Sequence, residues 1–255
     1  MSDALTRAGR LLFRWRSFTP VPLVLLALPL LWRSRGAASG WWLVCGLALC
    51  LAGQALRAWV LGQVPDGTSG QNEKLIAVSL NSTGPYARTR NPLYLGNFAI
   101  TLGLCAVAHD PLLAVLVAAL FGLQYRAIIA AEEEFLRGQF GADYLAYCAR
   151  VPRFWPRLSG AGGPSDLSPI KPPRAFDWRR ALRKEHNPAA AWAALSIVFV
   201  AADRLRLSGA RGLWPYALAL LVTAFVWLGI KGWKHRWLHG GFTEDLRRRL
   251  RETAR

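Results

Sequence analysis

The 255-residue sequence has no Gly-x-Gly-x-x-Gly turn, which excludes the strand-turn-helix arrangement by which soluble domains cradle a dinucleotide. No internal repeat or low-complexity tract is evident, so neither a solenoid nor a disordered array is expected. Cysteine is scarce. Cys45 and Cys50 fall about 140° apart in helical projection, and Cys105 and Cys148 are isolated, so the sequence offers neither a disulfide framework nor a metal-ligand set. Acids are few as well: 15 Asp and Glu against 32 Lys and Arg leave a formal net charge of +17.

Apolar residues are abundant. They make up 53% of the chain, with 12 Trp among them, and they are bunched into runs that point to a polytopic membrane protein. The candidate spans are Phe18 to Trp32, Trp41 to Leu61, Leu93 to Ala108, Pro111 to Tyr125, Ala189 to Ala202 and Leu213 to Trp233. Trp41 to Leu61 and Leu213 to Trp233 reach the roughly 20 residues that cross a bilayer unaided. Leu93 to Tyr125, interrupted by His109-Asp110-Pro111, reads as a helical hairpin whose second helix continues through Arg126 to Tyr147. The expected fold class is therefore an all-α integral membrane bundle of about six membrane helices.

The excess charge flanks these spans. With both termini cytoplasmic, only Arg33, Arg35, Arg204, Arg206 and Arg211 fall outside, as the positive-inside rule requires. That placement, without any recognition motif, argues against a nucleic-acid partner. The N-terminus imitates a signal peptide, but Arg33 and Arg35 sit where cleavage would occur. Gln54 and Arg57, near the cytoplasmic end of the second span, either snorkel or face the interior. Composition suggests three parts: a helix pair over 1–62, a core over 63–158, and a connector, two further spans and a basic tail over 159–255. Within these, Pro65 to Asn72 has the composition of a binding loop and Ser159 to Pro173 that of a linker. His235 and His239 are spaced for one helix face, but Trp233, Lys234, Arg236 and Trp237 around them suit an interfacial anchor better than a metal site. Asp3, Glu73 and Asp203 read as solitary surface acids.

Charged and aromatic residues concentrate at two places. The first is Gly84-Pro-Tyr-Ala-Arg-Thr-Arg-Asn-Pro-Leu-Tyr-Leu-Gly96, where Pro92 suits the first position of a helix and Asn91 its N-cap. Capping leaves Tyr86, Arg88, Arg90 and Tyr94 unexplained, and an Arg beside exposed helical N–H groups is a site for an anion. The second is Glu132-Glu133-Glu134-Phe-Leu. Helical spacing stacks Tyr125 over Glu132 and Arg126 over Glu133, and makes Glu133 and Arg137 an i, i+4 pair.

Together the segments resemble the isoprenylcysteine carboxyl methyltransferase and phospholipid methyltransferase superfamily of integral membrane enzymes. The resemblance rests on Gly84, Tyr86, Arg90, Asn91, Pro92, Tyr94 and Gly96, then on Glu132, Glu133, Leu136, Phe140, Gly141, Tyr144, Tyr147, Val151, Pro152 and Pro156. Asn91 departs from the His that many members carry, and an amide cannot shuttle a proton near neutral pH. The resemblance implies S-adenosylmethionine as cofactor, in a cytoplasmic pocket lined by Tyr86, Arg90, Asn91, Pro92, Tyr94, Glu132 and Glu133. It implies a membrane lipid or lipidated acceptor, with Arg126 and Arg88 as the catalytic pair holding an anionic oxygen. Pro65 to Asn72 and Asn81 to Gly84 look like bacterial members associated with methylating a lipid A phosphate, which would place the chain in a bacterial inner membrane. An amine N-methyltransferase, a sterol-reductase-like NADPH enzyme and a noncatalytic membrane adaptor are the rival readings.

Overall fold

The computed structural model describes residues 3–15, 29–30, 40–64, 77, 79–156 and 175–253, with residues 3–4 and 235–253 as backbone alone. The expected span Phe18 to Trp32 lies almost wholly outside this set. So do the Pro65 to Asn72 loop, the Ser159 to Pro173 connector, Glu73 and the side chains of Asp3, His235 and His239.

All regular structure among the described residues is helical: α1 Asp3–Trp15, α2 Gly40–Gln63, α3 Pro92–Val107, α4 Pro111–Arg150, α5 Trp178–Ser208 and α6 Trp214–Thr253, with a 3-10 turn at Gly84–Ala87. Among the described residues, four helices are long and apolar enough to cross a membrane, namely α2, α4, α5 and the Trp214–Lys234 part of α6. At 16 residues, α3 is shorter. Trp41, Trp42 and Val44 of α2 and Leu221, Phe225 and Leu228 of α6 are exposed. Such outward apolar faces suit lipid as solvent.

Glycines set the contact between α2 and α3. Gly46 and Gly53 on α2 meet Gly103 and Gly96 on the antiparallel α3; a Cβ at Gly53 would lie 2.6 Å from the Gly96 carbonyl oxygen, and one at Gly46 2.7 Å from that of Gly103. Small residues let the two backbones touch, which in lipid replaces the hydrophobic drive for helix association. At the far end of this pair, the α3–α4 turn closes a core of Cys105, Val107, Ala108, Leu113, Val117 and Phe199. Asp110 ends the turn by accepting from Leu113 N–H at 2.9 Å, and Pro111 opens α4.

Arg7, Arg10 and Arg14 lie on α1, which packs along α4. Thr6, Gly9 and Phe13 are buried there, and a Cβ on Gly9 would fall 2.0 Å from the Ala127 carbonyl oxygen. Helix α5 runs back along α2: Asp177 N–H donates to the Gly62 carbonyl at 2.9 Å, and the Phe176 ring fills the space a Gly62 Cβ would need. Trp178 and Trp233 stack to join α5 to α6, with centroids 6.2 Å apart. Asp203 is not solitary, because Arg206, one helical turn on, ion-pairs with it. All four cysteines are free thiols.

Candidate functional site

Residues 84–94 and 132–154 come together at one end of the α3–α4 hairpin. Gly84, at φ +60°, starts the 3-10 turn where a side chain would strike the Gln63 amide. The turn ends at Arg88, and the chain then lies beside the segment that follows α4. Arg90 N–H donates to the Pro152 carbonyl at 2.9 Å, the Thr89 hydroxyl to the Phe154 carbonyl at 2.8 Å, and the Asn91 side-chain amide to the Arg153 carbonyl at 2.7 Å. Asn91 does occupy the N-cap position of α3, with buried Pro92 as the first helical residue, but its side chain makes no cap hydrogen bond. The amide is spent on tying 91 to 153.

A break in α4 allows that return. Gly141 adopts φ +49° and ψ −121° inside the helix. Beyond it Tyr144, Tyr147 and Val151 pack with Leu80. The Tyr147 hydroxyl donates to the Tyr86 carbonyl at 2.8 Å.

Glu133 is the centre of the cluster. Its side chain is 9% exposed and holds two guanidiniums: Arg90 Nη1 lies 3.0 Å from Oε1, and Arg153 approaches with Nη2 3.0 Å from Oε2 and Nε 3.1 Å from Oε1. Burial would by itself ease the proton off Arg90, but the Glu133 carboxylate, with Cys148 and Tyr144 nearby, holds its pKa above the ordinary value. Arg90 Nη1 also donates to the Cys148 sulfur at 2.9 Å. Glu132 accepts from the Tyr94 hydroxyl at 2.6 Å. Burial, reinforced by the Glu132 carboxylate, pushes the Tyr86 phenol well above its usual range.

Five of the expected residues, Tyr86, Arg90, Tyr94, Glu132 and Glu133, are thus brought together, with Asn91 and Pro92 as the scaffold beside them. The helical pairings of Glu133 are not formed. Arg137 and Arg126 are both exposed, because Glu133 turns toward Arg90 and Arg153 instead. Arg88 is exposed too, and among the described residues neither the Arg88 nor the Arg126 side chain makes a hydrogen bond or ion pair. Arg153 and Cys148 were missed by sequence reasoning. The signal for Arg153 is its place between Val151-Pro152 and Pro156, inside the motif.

The cluster sets two carboxylates beside two guanidiniums, backed by a wall of aromatic rings. Tyr94 and Tyr125 centroids are 4.6 Å apart, Tyr125 and Phe121 stack at 4.0 Å, and Phe154 reaches Phe98 at 6.1 Å. Arg90 Nε is buried without a hydrogen-bond partner among the described residues. Groups of both signs with a spare buried donor suit a zwitterionic ligand carrying a ring.

Comparison with known proteins bears on the same region. Residues 41–143 match the phospholipid methyltransferase family model. Over 83 residues the chain is 40% identical to the nickel-cobalt-cadmium resistance protein NccN of Alcaligenes xylosoxydans xylosoxydans, covering 32% of this chain and 38% of that one. It is 38% identical over 81 residues to the cobalt-zinc-cadmium resistance protein CzcN of Cupriavidus metallidurans, covering 32% and 37%. It is 31% identical over 122 residues to the human protein-S-isoprenylcysteine O-methyltransferase, covering 47% and 43%. Each match therefore spans less than half of the relative's length. No solved structure matches.

Proposed function

We propose that the protein, whose residues 41–143 match the phospholipid methyltransferase family model, is an integral membrane methyltransferase that takes S-adenosylmethionine as donor and methylates an anionic oxygen on a lipid or lipidated acceptor. The observation that carries the reading is the interlocked Arg90–Glu133–Arg153 and Tyr94–Glu132 cluster. When bound, the donor would supply an electrophilic sulfonium methyl group, open to an acceptor oxygen in line with the departing thioether. Arg90, with its spare Nε, would clasp the donor's carboxylate, Glu132 and Glu133 would accept from its amino group or ribose hydroxyls, and Tyr86 and Tyr94 would bound it. Arg88, within the 84–94 segment, and Arg126, next to Tyr125 on α4, are both exposed and would draw in the acceptor oxygen. A phosphate or carboxylate oxygen is already nucleophilic, so the side chains need only orient it and exclude water. That suits a motif with Asn91 where a titrating His could stand. We assign the donor side to the cytoplasmic face, from the charge asymmetry of the flanking segments, and a bacterial inner membrane as the location.

Thermal-shift measurements on detergent-solubilised protein test the reading. S-adenosylmethionine and S-adenosylhomocysteine are expected to stabilise the protein and NADPH to leave it unchanged; the reverse pattern favours a reductase. Lipid extracts from cells with and without the protein then identify the acceptor by a mass difference of one CH2 group. An anionic oxygen predicts a methyl-transfer rate nearly flat from about pH 6.5 to 8.5, whereas an amine predicts a rise of roughly tenfold per pH unit below its pKa.

A further inference from the structure

A second polar cluster lies among the helices, apart from the donor cluster. Arg57 of α2 meets Glu185 of α5 side by side, Nη2 to Oε1 at 2.6 Å and Nε to Oε2 at 2.9 Å. The two side chains are 15% and 5% exposed. Gln54 Nε2 donates to the same Oε2 at 2.6 Å, and Trp192 Nε1 donates to Gln54 Oε1 at 3.0 Å. The third arm of Arg57 donates to Asn97 Oδ1 on α3. Asn97 Nδ2 in turn donates to the Tyr125 hydroxyl oxygen on α4 at 3.0 Å. The Tyr125 ring lies against Tyr94, whose hydroxyl donates to Glu132. Contacts run without a gap from Glu185 to Glu132.

Stability does not account for this arrangement. A buried ion pair contributes little over apolar residues of the same volume, because desolvation offsets the Coulomb gain. What the pair does supply is direction. A guanidinium has donors only, so once Arg57 engages Asn97, the amide must turn its oxygen to Arg57 and its NH2 to Tyr125. Glu185 sets the Arg57 fork by gripping two of its nitrogens. Glu185 also lies outside the 41–143 family segment, on a helix that no motif residue occupies.

We propose that Glu185 is a positioning residue for the donor site. It fixes Arg57, Arg57 fixes the Asn97 amide, and the amide holds Tyr125 against Tyr94, which keeps the Tyr94 hydroxyl on Glu132. The assignment rests on the methyltransferase reading. It also makes α5 part of the working core, since removing it would leave Arg57 as an uncompensated buried cation.

The test uses the full chain in lipid nanodiscs, with S-adenosylmethionine affinity read by calorimetry and the ligand-free melting temperature read alongside. Tyr125→Phe keeps the ring but loses the hydroxyl, and Glu185→Gln keeps the volume but loses the charge. Each is expected to weaken binding about tenfold, the equivalent of about 1.4 kcal/mol, while Tyr125→Phe melts within about 3 °C of the parent. Unchanged affinity in both variants overturns the assignment, whatever their melting temperatures, because a merely structural network would alter melting alone. A parent protein that binds no S-adenosylmethionine overturns the methyltransferase reading itself, and this assignment with it.

Discussion

Glu133 and Glu134 are neighbours in sequence and opposites in energy. Glu133 is buried between Arg90 and Arg153, whereas Glu134 meets Arg10 at 3.3 Å with both side chains more than half exposed. Glu133→Gln is expected to lower stability by about 1 to 3 kcal/mol and S-adenosylmethionine affinity by about tenfold. Glu134→Gln should change stability by less than about 1 kcal/mol. Chemical unfolding and calorimetry on the pair check both, and equal effects would remove Glu133 from the centre of the site. Tyr86 offers a pH test. Its pKa is raised in the fold by burial and by Glu132, so its contribution is fully present below the unfolded value of about 10 and is lost as pH rises above it. Tyr86→Phe should flatten the alkaline fall in melting temperature between about pH 9.5 and 11 while matching the parent's pH dependence near neutrality.

At the scale of elements, the α2–α3 contact and the break in α4 position the site. Gly53 has backbone on the far side, with 2.6 Å from a would-be Cβ to the Gly96 carbonyl oxygen, whereas Gly122 on the exposed side of α4 has nothing within 4 Å. Gly53→Val forces two backbones apart and is expected to abolish cooperative unfolding or lower the melting temperature severely. Gly122→Ala should be neutral or stabilise by up to about 1 kcal/mol, because helix propensity improves and no neighbour is displaced. Thermal unfolding in detergent distinguishes them, and a benign Gly53→Val would contradict the close packing. The seven-residue spacings, Gly46 to Gly53 and Gly96 to Gly103, stood in the sequence, but spacing alone does not say which faces meet. Gly141 was visible only as a motif residue. Its positive φ, which turns Tyr144 and Tyr147 back toward residues 80–86, is a property of the folded chain.

For the whole molecule, the proposed topology puts the site end of α4 and the α5–α6 turn on opposite faces of the membrane. Asp143 and Ser208 are both exposed, one beyond the break in α4 and the other at the end of α5. Cysteines introduced there, in a chain with its native thiols replaced, should differ in labelling by an impermeant maleimide in sealed vesicles. Equal labelling of both would refute the topology.

The sequence by itself determined the helical class, the hairpin broken at His109 to Pro111, and the membership of Arg90, Tyr94, Glu132 and Glu133 in one motif. Those features are local: hydropathy is set by runs of residues, caps by neighbouring positions, and a motif by its spacing. Partner choice was decided only by the tertiary structure. Helical spacing offered Glu133 the cations Arg126 and Arg137, yet it pairs with Arg90 and Arg153, because the chain beyond Gly141 folds back and buries the carboxylate where, among the described residues, those two guanidiniums reach it. Arg57 was left between lipid headgroups and the interior until α5 brought Glu185 to it from 128 residues away in sequence. A buried charge takes the partner that the fold delivers, since desolvation makes an unpaired ion too costly, and that delivery depends on long-range packing that no local pattern encodes.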